Sequence, residues 1–291
     1  VSGEPGDTCS KAIVTERAIE QNYNYSFPYS KPRTPLPLRA KINQLGKIKV
    51  GIVNYLNTKP LLFGIENSKI IEEIELVPGY PAHIASLLLE NSIDIGLVPV
   101  AVIPRLAESH IVTDYCIACD GPVASVCLLS QVPMAEIEKV LIDYQSRTSA
   151  NLVKILIREY WKLDVELIDT RTDYREQIKG STAGLVIGDR CLEYRERVSY
   201  VYDLGEAWKN FTGLPFVFAA WISNKKLPDS FVEDFNAANK MGVENIDLVI
   251  AQNQFPYYDS AVYFRQNINY VLDAEKRKGL DLFLNKLSKL V

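Results

Sequence analysis

The sequence predicts an α/β protein built as two lobes with a cleft between them, and three observations predict it. Short β-rich runs alternate with amphipathic stretches about 20 residues apart, the spacing of strand–helix–strand units in a parallel sheet with right-handed crossovers. Long extended chain interrupts that rhythm twice, over 110–132 and 199–223, as it must where a chain leaves one lobe for another and later returns. The composition, 47% apolar and 23% charged over 291 residues, supplies enough core for two domains and excludes a disordered, collagen-like or heptad-repeat chain.

Taken in order, residues 1–46 hold five of the fifteen Pro and the isolated Cys9, and are expected to be a disordered N-terminal arm belonging to neither lobe. KIKVGIV (47–53) is a buried strand, and 58–66 a helix with Pro60 in its first turn, where a missing N–H costs nothing. Strands over 73–78 and 94–100 alternate with helices over 80–91 and 101–109. After the first crossing come strands at 139–144, 164–169 and 183–189, with helices at 149–162, 174–179 and 190–197. Beyond the second crossing the pattern is helical over 228–242 and 245–254, and 257–289 reads as a long amphipathic tail. The expected partition is 47–120 with 224–291 as a discontinuous first lobe, and 121–223, crossings included, as the second. This arrangement resembles the periplasmic-binding-protein type II architecture. In open α/β lobes ligands bind at the carboxyl ends of strands, so the loops after Val53, Val98, Tyr144 and Ile187 should meet in the cleft.

Those loops carry hydroxyls and amides. Asn57 and Thr58 occupy the N-terminal turn of a helix, where N–H groups and the dipole favour an anion; plain capping explains the same residues. Ser146, Thr148 and Ser149, beside Arg147, form a second such turn, and two turns facing each other suit a ligand with two carboxylates. DGPVASV (120–126) sets Ser125 on extended chain at the first crossing. In the second crossing Thr212, Gly213 and Phe216 sit among enough aromatics to wall a ring, or to pack a core. Asp189 ends a strand and either meets a ligand or caps the next helix.

Other chemistries are poorly supplied. The net charge is −4, and −6 beyond residue 46 (26 basic, 32 acidic residues), so no basic field offers itself to nucleic acid. No apolar stretch is long enough to cross a membrane. Two His and five Cys are a thin stock for a metal site. Cys116 and Cys119 fall on opposite faces of a strand, Cys127 and Cys191 read as buried apolar residues, and His83 and His110 read as structural. The odd Cys count and the lack of an export leader lead us to expect a cytoplasmic protein.

NYLNTKPL (54–61), DIGLVPV (94–100), DGPVASV (120–126), YQSRTSANL (144–152), AGLVIGD (183–189) and DLGEAWKNFTGLPFVFAAW (203–221), in that order, resemble the chorismate dehydratases of the futalosine route to menaquinone. The resemblance runs over nearly all of 47–255. It implies a carbon–oxygen lyase that removes water from chorismate to give 3-[(1-carboxyvinyl)oxy]benzoate, with neither metal nor organic cofactor and with the substrate's enolpyruvyl carboxylate as base. Asn57 and Ser125 match the family's important polar positions. Asn57 would orient the reacting region, Ser125 would bind a carboxylate or the leaving hydroxyl, and Thr148 and Ser149 would hold the other carboxylate. The sibling 1,4-dihydroxy-6-naphthoate synthase shares the fold, but NYLNTKPL and TGLPFVFAAW resemble the dehydratase more. VPVAVIP (98–104) departs from the Ser and acidic residue common in relatives, so no polar contact is expected from that loop. The remaining alternatives are a solute-binding protein for an aromatic or dicarboxylate ligand and the effector domain of a regulator. The former would normally carry an export leader or anchor, and the latter a DNA-binding module; oligomeric state is left open.

Overall fold

The run KIKVGIV forms β1 (Ile48–Val53), whose last four residues are buried, as a strand covered on both faces requires. The computed structural model describes residues 46–290; the expected N-terminal arm lies, but for Gly46, outside the described residues. After β1 come α1 (Lys59–Glu66), β2 (Ile74–Gly79), α2 (Pro81–Leu89), β3 (Ile95–Pro99) and β4 (His110–Cys119). The second block holds β5 (Val126–Ser130), β6 (Lys139–Ile142), α3 (Thr148–Ile155), β7 (Glu166–Asp169), β8 (Thr182–Ile187), α4 (Asp189–Tyr194) and β9 (Tyr200–Asp203). The chain returns through α5 (Leu204–Thr212) and β10 (Phe216–Ser223). It finishes with α6 (Asp229–Glu244), α7 (Ile246–Gln252), α8 (Ser260–Val262), β11 (Asn269–Val271) and α9 (Ala274–Leu287).

Two sheets result, ordered β11-β4-β10-β3-β1-β2 and β7-β6-β8-β5-β9. They share a plan. In each, three strands run parallel (β2-β1-β3 and β7-β6-β8), and the next strand, β10 or β5, lies antiparallel to the third. In each, that fourth strand is the one the chain makes just after crossing between lobes. This corrects one boundary: residues 216–223, expected in the second lobe, form β10 in the first sheet, because they pair with both β3 and β4.

The helices hold the sheets through close contacts. At Gly64 of α1 a methyl group would lie 1.9 Å from Ala238 O of α6, and at Gly242 of α6 one would lie 1.9 Å from Pro60 O. Backbone therefore meets backbone, and α1, which directly follows Asn57 and Thr58, is seated against α6. Trp208 of α5 is fully buried, edge-on to Phe216 and Phe283, and donates its indole N–H to Pro215 O.

Four other expectations change. The 199–223 segment contains α5, because Asp203 accepts from Gly205 N and Glu206 N and so caps a helix there. The tail over 257–289 is broken by β11, which pairs with β4. Residues 174–179 supply only a 3₁₀ turn (Arg175–Gln177), and 101–109 only one over Val100–Arg105.

Candidate active site

A cavity opens where the carboxyl ends of the two sets of parallel strands face each other. Val53, Leu97, Pro99, Ile117, Val126, Ile187 and Phe218 form its apolar walls. Asn57, Thr58, Ser125, Ser146, Thr148 and Ser149 bring the polar groups. Among the described residues that line it, none is Asp, Glu, His, Lys, Arg or Cys. Among the described residues, no group of three or more His, Cys, Asp or Glu is placed to hold a metal ion.

Ser125 sits on a strained turn. Its N–H donates to Val123 O at 2.7 Å, and Ala124 between them has φ of +63°, which together make a γ-turn of the rare, costly hand. Asp203 holds that turn: Oδ1 accepts from Val123 N (3.0 Å) and Oδ2 from Ala124 N (2.7 Å). The same carboxylate caps α5 through Gly205 N and Glu206 N. Burial raises the Asp203 pKa, and these four backbone N–H groups work against the rise. Arg195 closes the arrangement by donating to Ala124 O at 2.8 Å. The result is a fully buried serine that lines the cavity at the crossing between lobes.

Asn57 is set by two hydroxyls. Thr58 Oγ1 donates to Asn57 Oδ1 (3.2 Å), and Tyr270 OH donates to Asn57 O (2.9 Å). Nearby, Tyr263 OH donates to Ser125 Oγ at 2.8 Å. Tyr263 and Tyr270 are buried, and burial pushes both phenols well above their usual pKa, so both remain protonated donors.

The lobes are tied across the cleft. Leu56 N donates to Asp189 Oδ1 (3.0 Å), Tyr55 OH to Gln145 Oε1 (2.6 Å), Ala101 N to Thr148 Oγ1 (3.2 Å) and Arg147 Nη2 to Ser86 Oγ (3.0 Å). Gly188 allows the approach: its φ is +64°, and a methyl group there would lie 2.9 Å from the Tyr55 ring. Behind Gln145, the Asp143 carboxylate pairs with Arg190 (2.7 Å) and accepts from Tyr174 OH (3.0 Å).

The structure brings Asn57, Thr58, Ser125, Ser146, Thr148 and Ser149 to one cavity. It does not bring the rest. Arg147 and Asp189 are engaged between lobes rather than in the cavity lining. Thr212 hydrogen-bonds within α5, to Trp208 O, and Gly213 ends that helix with φ of +75°. Phe216 is fully buried against Trp208, Phe218 and Phe283. Thr212 and Gly213 end α5 away from the cavity, while Phe218, two residues further along β10 and packed on Phe216, lines it. The 98–104 loop does contribute, through the wall residue Pro99 and the Ala101 N–H. Sequence reasoning missed Tyr263, Tyr270 and Asp203. Only Asp203 left a signal, the Asp-x-x-Glu of a capping box ahead of an apolar 3–4 repeat.

Fold and cavity first define a class: a two-lobed α/β protein of the periplasmic-binding-protein kind, with its ligand cavity between the lobes. Its structure is similar to that of an Archaeoglobus fulgidus protein (14% identity, TM-score 0.67, 84% of this chain and 97% of that one). It is also similar to the periplasmic aliphatic sulphonate binding protein of Escherichia coli (15% identity, TM-score 0.56, 85% and 89%). These likenesses carry the fold alone. The particular family comes from the sequence: residues 48–289 match the menaquinone biosynthesis family, and the chain belongs to it. Chorismate dehydratase of Thermus thermophilus is a relative, 24% identical over 261 residues, 82% of this chain and 94% of that protein. Among the described residues no helix is long and apolar enough to cross a membrane.

Proposed function

We propose that this chain is a chorismate dehydratase, a carbon–oxygen lyase acting in menaquinone biosynthesis. The observation that carries the reading is the cavity itself, apolar-walled, set with hydroxyls and one carboxamide, and without a carboxylate, imidazole or amine among its described lining residues. Such a site suits a reaction whose substrate brings its own base. In chorismate the hydrogen on the ring carbon bearing the enol ether is lost together with the hydroxyl on the next carbon. The C–H electron pair becomes the new ring double bond, the C–O pair leaves with the oxygen, and the proton taken by the enolpyruvyl carboxylate completes water. Nothing is oxidised or reduced. The ring becomes aromatic, so the protein needs chiefly to hold the ring and offer donors to oxygen as charge develops.

The residues divide accordingly. Ser146, Thr148 and Ser149, at the start of α3, hold one carboxylate with hydroxyls in the field of the helix N-terminus. Asn57 orients the reacting region, and Ser125 binds the departing hydroxyl. The family membership and the named Thermus relative support the substrate.

Incubation with chorismate, read by mass, should give the aromatic enol ether. Asn57→Ala and Ser125→Ala should each lower kcat by about 100-fold, the scale of a lost transition-state donor, with melting little changed. Chorismate that binds and survives would make the chain a solute-binding protein; no binding would point to the sibling synthase's substrate or another solute.

A further inference from the structure

Ser125 accepts a hydrogen bond from a buried side chain 138 residues further along the chain, Tyr263. We propose that Tyr263 is a positioning residue whose hydroxyl, donated to Ser125 Oγ, turns the serine proton toward the cavity, so that Ser125 meets the ligand as a hydrogen-bond donor. The inference rests on the dehydratase reading for its substrate, though not for its geometry.

The geometry runs in one direction. A serine oxygen has one proton and two lone pairs. Tyr263 OH, 2.8 Å away, fills one lone pair. The Ser125 hydroxyl has Val123 O as its acceptor at 3.5 Å, the outer limit of a hydrogen bond, so its proton can be drawn to a ligand oxygen. The order is therefore Tyr263 to Ser125 to ligand. Tyr263 is fully buried, so water does not compete for these bonds. A serine poised this way suits an oxygen gaining negative charge, as a departing hydroxyl does, and is wrongly turned to take a proton from carbon.

Tyr263→Phe keeps the ring and removes only the hydroxyl. With chorismate, kcat should fall about tenfold, the scale of one net hydrogen bond, while KM moves less than threefold. The coupled pair gives the sharper readout: Ser125→Ala and the Ser125→Ala/Tyr263→Phe double variant should be equally slow, because the tyrosine acts through the serine. Losses that multiply, or an unchanged kcat in Tyr263→Phe, would overturn the proposal. A ligand-free measurement separates it from the functional reading. With tyrosines ¹³C-labelled at Cζ, the Tyr263 resonance, assigned by its loss in Tyr263→Phe, should show a slowly exchanging hydroxyl and should shift in Ser125→Ala. A resonance unmoved by Ser125→Ala would sink the relay even if chorismate is dehydrated. A shifted resonance in a protein that leaves chorismate intact would support the relay and sink the dehydratase reading.

Discussion

At the scale of single residues, the cleft is organised by side chains that serve two lobes at once, and Asp189 is the one whose chemistry can be titrated. Its carboxylate accepts from Leu56 N across the cleft, and burial raises its pKa above 3.8, against the opposing pull of that N–H and of Lys59. The sign follows from linkage. A carboxyl with a raised folded-state pKa binds its proton more tightly in the fold than in the unfolded chain, so its contribution is full below the unfolded pKa and is lost as pH rises through the folded one. Asp189→Asn keeps an oxygen for Leu56 N and cannot ionise. The variant should therefore gain stability relative to the parent as pH is raised from 3.8, measured by urea unfolding at a series of pH values. A gain in the opposite direction would mean that the N–H and Lys59 outweigh burial.

At the scale of elements, the α1–α6 contact sets where Asn57 stands. A methyl group at Gly242 would overlap Pro60 O at the start of α1, and the atom it would strike is backbone, which cannot rotate away. Gly242→Ala should destabilise the fold by about 1–3 kcal/mol, the usual cost of overpacking, and should raise the KM for chorismate by shifting the turn that carries Asn57. Thermal melts and kinetics check both. The strands, the loops after them and the hydroxyl-bearing turns were legible in the sequence, because β-branched runs and capping residues are local signals. The helix α5 was hidden inside an aromatic-rich stretch, though Asp203 and Glu206 marked its start. Tyr263 and Tyr270 were not legible at all. Their partners Ser125 and Asn57 lie 138 and 213 residues away, and the apolar periodicity around them reads as plain amphipathic helix. A hydroxyl that reaches so far along the chain leaves no pattern in its own neighbourhood.

At the scale of the whole molecule, the lobes meet through a small set of bonds made by side chains on the rim. Arg147–Ser86 is made outside the cavity lining, and Tyr55–Gln145 by a residue that also lines it. A Tyr55→Phe/Ser86→Ala variant gives up roughly 1 kcal/mol per bond and should populate a more open form. Small-angle scattering should then report a larger radius of gyration, reversed by chorismate, with weaker apparent affinity. Identical scattering from parent and variant would show that closure does not depend on these bonds.

The strand exchange between the lobes also bears on how the chain is made. The second sheet is complete within 126–203, one uninterrupted stretch that can fold as it leaves the ribosome. The first sheet is begun earlier but lacks β10, which must enter between β3 and β4 and emerges only with residues 216–223. Until then β3 and β4 have no common neighbour, and each presents an open edge. The lobe synthesised first is thus the lobe finished last, and Ser125 meets its partner Tyr263 later still.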